Sequence, residues 1–417
     1  MLALAIAGAL WPFVPAVAPA ALAWVALAPL WPAVSRRQRV QALVFIGGGL
    51  AALLWGLSRG ATLRVESLLG QNQPILSMLA AVTLLRVLNP PPRADEPELP
   101  RGLRAYLRSM LGVHAFGAVI NVSAVIIAAD RLARVRPLGL DQAQLLSRAF
   151  SAVAFYSPFI GGVALALAYT PGSNPLVMML FGLPLAAVAL LLLYWYASSR
   201  RGGDIDGFRG YPVHPEDLRV PVLLAAAVLS ASVATPAFSV LTLITVLTPV
   251  VVVVTLLARG GVRNLQPAFS EYIGTRAPQM GGELALFLSA GVLASGLVAA
   301  AAGAGEWTLP RLDAFHASLL VLGFVVTSLA CIHPVVLVSV TVALAETTAL
   351  DPTLLATTFA MGWGLGCAVN PLSGVNVVLA TRYGANNWRV ARSNVPYSAT
   401  LYVVAVGLLY LYEYVLL

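Results

Sequence analysis

The sequence predicts an all-α polytopic membrane protein made of two inverted repeats, and two observations carry that prediction. The first is composition. Of 417 residues, 59% are hydrophobic and only 10% charged, with a mean hydropathy of +0.86, which is more apolar surface than one soluble core buries. The second is recurrence: Asn121–Ala133 has a counterpart in His333–Ala345, and Ser157-Pro158 has one in Asn370-Pro371. A hydrophobic chain built from two related halves points to a membrane transporter whose site lies where the halves meet.

Taken in order, apolar runs cover 2–33, 40–58, 66–88, 106–130, 145–169, 177–197, 221–236, 238–258, 280–303, 316–345, 354–381 and 396–417, most of them near the ~20 residues that cross a hydrocarbon core. Leu2–Trp31 has no basic residues ahead of it and reads as a first span, not a cleaved signal. All 25 basic residues are Arg. The net charge of +8 reflects Arg-rich loops facing one leaflet and gives no reason to expect nucleic acid. Cys331 and Cys367 lie in apolar segments as small hydrophobes. Neither a disulfide, nor a zinc site, nor any bound cofactor is expected.

The matches between halves keep their order. Leu57, Arg59 and Gly60 align with Leu257, Arg259 and Gly260; Gly70 and Pro74 with Gly274 and Pro278; Ala118, Ile120, Leu132 and Ala133 with Ala330, Ile332, Leu344 and Ala345; Pro158 and Gly161 with Pro371 and Gly374. The repeats are then about 1–205 and 206–417. Loops rich in Arg stay cytoplasmic. If 106–133 and 316–345 are re-entrant hairpins, only Arg59, Arg64 and Arg311 of the loop arginines fall outside; if those segments span instead, the arginines divide evenly. Each half thus has about five spans, a hairpin (about 106–133 and 316–345) and a broken helix (about 145–169 and 354–381). An odd number of spans inverts the second half relative to the first.

Non-helical backbone is tolerated at membrane depth only when it is buried in protein or lines a cavity, so breaks locate the candidate site. The first hairpin turns near Asn121 and Ser123, and the next segment breaks at Ser157, Pro158 and Gly161. The second half offers His333 and Pro334 at its hairpin turn, and Asn370, Pro371, Ser373, Gly374 and Asn376 at its break. Proline removes a donor and glycine frees the backbone, leaving helix N-termini suited to anions and oxygens suited to Na⁺. The candidate Na⁺ ligands are Asn121, Ser123, Asn370 and Asn376. Blander readings stand beside these: Pro158 as a kink, Asn121 and Ser123 as interhelical glue, and His333 as a satisfied core histidine. His114 reads as structural. Gln71–Pro74 and Thr275–Pro278 are weaker candidates. Acids are scarce inside the apolar segments, Glu283 being the main exception. A site of helix ends and amides, with Arg148 and Arg276 at its margins, suits an anion better than a cation.

Five spans and a hairpin per inverted half, with Asn/Ser-Pro-Gly breaks after each hairpin, resemble the ion transporter superfamily of secondary carriers, including the divalent anion/sodium symporters. Asn121-Val122-Ser123 and Ser373-Gly374-Val375-Asn376 are looser versions of that family's paired Ser-Asn-Thr motifs, and Ile332-His333-Pro334 departs from them. The resemblance implies an elevator-type mechanism, with hairpins and broken helices moving against a homodimeric scaffold that here includes 40–58, 66–88, 238–258 and 280–303. The expected function is secondary active transport of a small anionic solute across a bacterial cytoplasmic (inner) membrane, among membrane lipid, coupled to Na⁺ or H⁺. The alternatives are an ion channel and an intramembrane enzyme acting on a lipid-like substrate through His333 with Cys331 or Ser373. An enzyme would need nucleophile, base and orienting acid together, and the sequence offers no such set.

Overall fold

The computed structural model describes residues 1–11, 13–15, 17–62, 65–88, 99–134, 137–199, 205–211, 215–304, 312–344 and 350–417. Ala345 of the repeat, and Arg64, Arg93, Arg136, Arg200, Arg201 and Arg311 of the charge pattern, lie outside these residues. Among the described residues the regular structure is helical, apart from one isolated bridge pairing between Arg101 and Arg209. The helices are α1 (Leu2–Leu10), α2 (Val17–Leu30), α3 (Arg36–Ser58), α4 (Val65–Gly70), α5 (Gln73–Leu84), α6 (Gly102–Ile120), α7 (Ser123–Leu132), α8 (Leu140–Ser151), α9 (Gly161–Tyr169) and α10 (Pro175–Ser198). They continue with α11 (Arg219–Ala234), α12 (Val240–Gly260), α13 (Leu265–Glu271), α14 (Gly281–Ala304), α15 (Ala314–Leu329), α16 (Pro334–Leu344), α17 (Pro352–Val369), α18 (Gly374–Tyr383), α19 (Asn387–Ser393) and α20 (Val395–Leu416).

Their boundaries follow local chemistry. Ser35, Asn174, Ser239, Asp313, Asp351 and Asn386 each accept a backbone N–H of the helix they open, satisfying donors that would otherwise be orphaned. Proline at the first helical positions of α10 and α17 strengthens those starts. Among the described residues six stretches are long and apolar enough to cross a membrane: Arg36–Ser58, Leu68–Leu88, Pro175–Ser198, Val240–Ala304, Pro352–Tyr383 and Val395–Leu416. On α10 Leu176, Leu180, Leu183 and Leu191 are exposed, as are Val403, Tyr410 and Leu411 on α20, a surface that water would reject and lipid accepts. The chain is an all-α polytopic membrane protein.

Two details differ from the sequence expectation. The stretch read as one first span folds as α1 and α2, helices of 9 and 14 residues. Pro15 stands between them and cannot supply the N–H that a continuous helix needs there. Likewise α6 runs 19 residues and starts at Gly102, ahead of the bound near 106 expected from the apolar run.

The chain divides into two compact units, each drawing on both halves of the sequence. The first comprises Met1–Asn89, Leu223–Arg311 and Val335–Leu350, and the second Pro90–Val222, Leu312–Pro334 and Asp351–Leu417. In the first, α3 lies along α14 with backbones almost touching: a Cβ at Gly49 would stand 2.6 Å from the Val292 carbonyl oxygen, and one at Gly296 1.9 Å from that of Gly49. Such small-residue packing brings helices together where lipid supplies no hydrophobic drive. In the second unit α17 is the core element. Nearly all its residues are buried, and Phe359 meets Phe324 of α15 edge-on at 6.0 Å.

Candidate functional site

Every residue singled out at the hairpin turns and breaks lies in the second unit. After α8 the chain tightens into a 3₁₀ turn over Ala152–Phe155, leaves helical geometry at Tyr156 and re-enters it at Gly161. Pro158 cannot donate to the preceding turn, and Ser157 takes over the local bonding. Its Oγ accepts the Phe159 N–H at 3.3 Å and donates to the Ala118 carbonyl of α6, while its own carbonyl accepts the Ile160 N–H at 3.1 Å.

The second break repeats this bonding pattern with an amide in place of the hydroxyl. Asn370 precedes Pro371, its Oδ1 accepts the Leu372 N–H at 2.8 Å, and its carbonyl accepts the Ser373 N–H at 3.1 Å. Its Nδ2 donates at 3.1 Å to the Ile332 carbonyl in the turn between α15 and α16. Both breaks are therefore side-chain-stabilised X-Pro turns, each tied to the residues around an earlier interhelical turn.

The α6–α7 and α15–α16 turns share a further property. Among the described residues Asn121, with φ 57°, and Cys331, with φ 64°, are the non-glycine residues of positive φ, and each sits in one of these turns. Such backbone costs of order 1–3 kcal/mol and concentrates where structure serves function. At Asn121 the cost is offset locally: Oδ1 accepts the Val122 N–H at 2.7 Å and Nδ2 donates to the Phe159 carbonyl at 3.4 Å. Ser123 is the buried first residue of α7.

Around the first break, packing is tight. A Cβ at Gly162 would stand 2.2 Å from the Trp363 ring, so the indole lies directly on the start of α9. His333 meets the other side of the arrangement, edge-on to Trp363 with centroids 5.3 Å apart, and Pro334 opens α16. His114 holds a structural place: Nδ1 donates to the Ala149 carbonyl at 3.0 Å, which leaves Nε2 to accept the Tyr156 hydroxyl at 3.1 Å.

What the breaks expose is two helix starts. Neither α9, preceded by Ile160, nor α18, preceded by Ser373, has a side-chain cap, unlike the capped helices described above. Ser373 is of the type that caps and occupies the capping position, yet its Oγ is buried with no hydrogen-bond partner. N–H groups at a helix start without a side-chain cap, beside such a hydroxyl, are donors of the kind that anions accept from.

The amide oxygens are partly engaged. Asn121, Asn370 and Asn376 each already accept one donor: Val122 N–H, Leu372 N–H and the Ser147 hydroxyl at 2.8 Å, respectively. A second lone pair remains on each, and Asn376 Nδ2 donates to the Asn370 carbonyl at 2.9 Å. Asn121 belongs to the first break, and Asn370 and Asn376 to the second. Among the described residues no three His, Cys, Asp or Glu side chains gather as a metal site.

Sequence reasoning missed Ser147 and Asn394. Asn394 donates to the Ala368 carbonyl at 2.9 Å and accepts from Arg148 Nε at 2.7 Å; an asparagine just ahead of an apolar run was the available signal. Asp130 accepts the Tyr383 hydroxyl at 2.6 Å and lies 3.7 Å from Arg382, which fastens α7 to α18. Arg276 is paired with Glu271 at 2.6 Å in the first unit, and Asn72 there donates to the Phe287 carbonyl at 2.8 Å.

No protein-family model matches the sequence, and no curated protein matches it. Solved structures do resemble it. The YdaH transporter of Alcanivorax borkumensis is 15% identical over 90% of this chain and 84% of that one, with a TM-score of 0.44. Neisseria gonorrhoeae MtrF, described with a class of antimetabolite efflux pumps, is 14% identical over 91% of this chain and 95% of its own, with a TM-score of 0.47. At these values the likeness assigns this chain neither a family nor a solute.

Proposed function

We propose that the chain is a secondary active transporter that moves a small anionic solute across the bacterial cytoplasmic membrane, coupled to Na⁺ or H⁺. The observation that carries this reading is the pair of matching X-Pro breaks, one bonded to the end of α6 and the α6–α7 turn and the other to the α15–α16 turn, each followed by a helix start without a side-chain cap. Broken helices facing a midplane site are how carriers present N–H donors to anions and carbonyls to coupling ions. The unpartnered Ser373 hydroxyl supports placing the solute at the start of α18. The free lone pairs of Asn121, Asn370 and Asn376 support Na⁺, and the chemistry of His333 and Glu283 supplies the proton alternative. The elevator-type movement, the inverted topology and the homodimer belong to the same proposal, supported by the resemblance of architecture.

Reconstitution tests it. Proteoliposomes holding the purified protein, offered radiolabelled small carboxylates and inorganic oxyanions under imposed Na⁺ or proton gradients, should accumulate at least one of them only when the matching gradient is present. Flux that runs down the solute gradient and ignores both ion gradients would refute coupled transport and favour a channel.

A further inference from the structure

Arg148 is a buried cation without a charged partner. It is 6% exposed, and the groups in contact with it are neutral: Nε donates to Asn394 Oδ1 at 2.7 Å, Nη2 donates to the Ser393 carbonyl at 2.9 Å, and the guanidinium carbon lies 5.5 and 5.3 Å from the ring centroids of Tyr196 and Tyr397, while the Asp141 carboxylate acts on it across the cleft without forming an ion pair. No carboxylate of the described residues forms an ion pair with it. Dipoles and rings hold the group in place, but a desolvated charge of this kind favours a counter-ion strongly.

The side chain does not end in packed apolar core. It lines a cleft of about 360 Å³, open mouth included, with Tyr106, Asp141, Gln144, Tyr196 and Phe208 among its walls. The enclosed part is about 20 Å³, room for one water-sized group such as a single oxyanion oxygen. Gln144 is buried and stands one turn from Arg148 on α8, whereas Asp141, which also lines the cleft, is exposed and two turns away, about 10 Å along the axis at ~1.5 Å per residue. The cleft therefore carries a buried guanidinium, phenols and an amide, with one exposed carboxylate further along α8. Two of the five guanidinium N–H donors are used by Asn394 and Ser393, leaving three in the fork geometry that takes an oxyanion.

We infer that this cleft is an oxyanion-binding subsite, distinct from the breaks, which takes the carboxylate or phosphate head of a small anion against Arg148. A hydrogen-bond chain connects it to the second break. Arg148 holds Asn394, Asn394 Nδ2 reaches Ser147 Oγ at 3.4 Å, Ser147 donates to Asn376, and Asn376 donates to the Asn370 carbonyl. Anion binding at one end thus bears on the geometry of the other. Only that connection rests on the transport reading; the binding itself does not.

Thermal unfolding of the full chain in detergent, in succinate, phosphate or chloride at matched ionic strength, tests the inference. At least one of the two oxyanions should raise the wild-type midpoint by several degrees over chloride. Gln144→Glu places a carboxylate beside Arg148 and should raise the midpoint in chloride while removing the oxyanion increment. Arg148→Lys keeps the charge but loses the fork, and should raise the half-saturating concentration about tenfold or more. No increment in the wild type, an increment that persists in Gln144→Glu, or an unchanged half-saturating concentration in Arg148→Lys, as a general salt effect would give, overturns the subsite. Loss of gradient-driven uptake with the increment intact would count against the transport reading alone.

Discussion

Single residues carry the most specific commitments. Cys331 holds a positive φ without the local amide bonds that Asn121 makes, so Cys331→Gly should stabilise the protein by up to about 1 kcal/mol, relief of left-handed strain less the added chain entropy. Asn370→Ala removes partners from the Ile332 carbonyl and the Leu372 N–H and should cost about 1–3 kcal/mol in denaturation measurements, with a raised Na⁺ requirement if sodium is the coupling ion. At the membrane-external start of α15, the hydrogen bond from the His316 N–H holds the Asp313 carboxyl below its ordinary range. A depressed folded pKa means the cap contributes fully above the ordinary aspartate pKa and is lost as pH falls through the folded value. The protection factor of the His316 amide, its exchange rate relative to the intrinsic rate at the same pH, should fall on acidification through the folded pKa, and Asp313→Asn should remove that dependence. The turn residues themselves were legible in the sequence, because proline, asparagine and serine act on their own backbone two or three positions away. The positive φ at Cys331 was not, since no property of cysteine asks for it.

Among elements, the two broken helices make contrasting demands. Gly162→Ala must push its methyl into the Trp363 ring and should destabilise by about 1–3 kcal/mol, displacing the start of α9. Gly374→Ala, with open space around its Cβ position and no positive φ, should leave stability unchanged or slightly improved. At the same helix start, Ser373→Ala should weaken solute binding by about 0.5–1.5 kcal/mol, one hydrogen bond. Sequence reasoning found these breaks because their causes are local. It read Asn376 as a ligand without seeing that Ser147 occupies one lone pair, and it left Arg148 at the margin. Both relations join residues 229 and 246 positions apart, a separation at which helical periodicity carries no information. The division of the first apolar run into α1 and α2 was within reach of its prolines, but hydropathy alone joined them.

For the whole molecule, composition was enough to establish the membrane class, because apolar surface in excess of any core is a property of the chain and not of its arrangement. Orientation rests on where the arginines lie. With 106–133 a re-entrant hairpin, single cysteines in the loop at 138–144 should be shielded from an impermeant thiol reagent outside the cell, and those at 172–174 labelled; the reverse pattern at 138–144 removes the hairpin and the inverted repeat together. The most direct test of the central claim, a transporter whose solute sits at the paired breaks, is gradient-driven uptake into proteoliposomes by the wild type beside Ser157→Asp and Ser373→Asp. The account predicts ion-coupled accumulation of a small anion by the wild type and none by either well-folded variant, since an added carboxylate at those helix starts repels the solute. Wild-type rates in both folded aspartate variants, or no accumulation of any anion by the wild type, would contradict it.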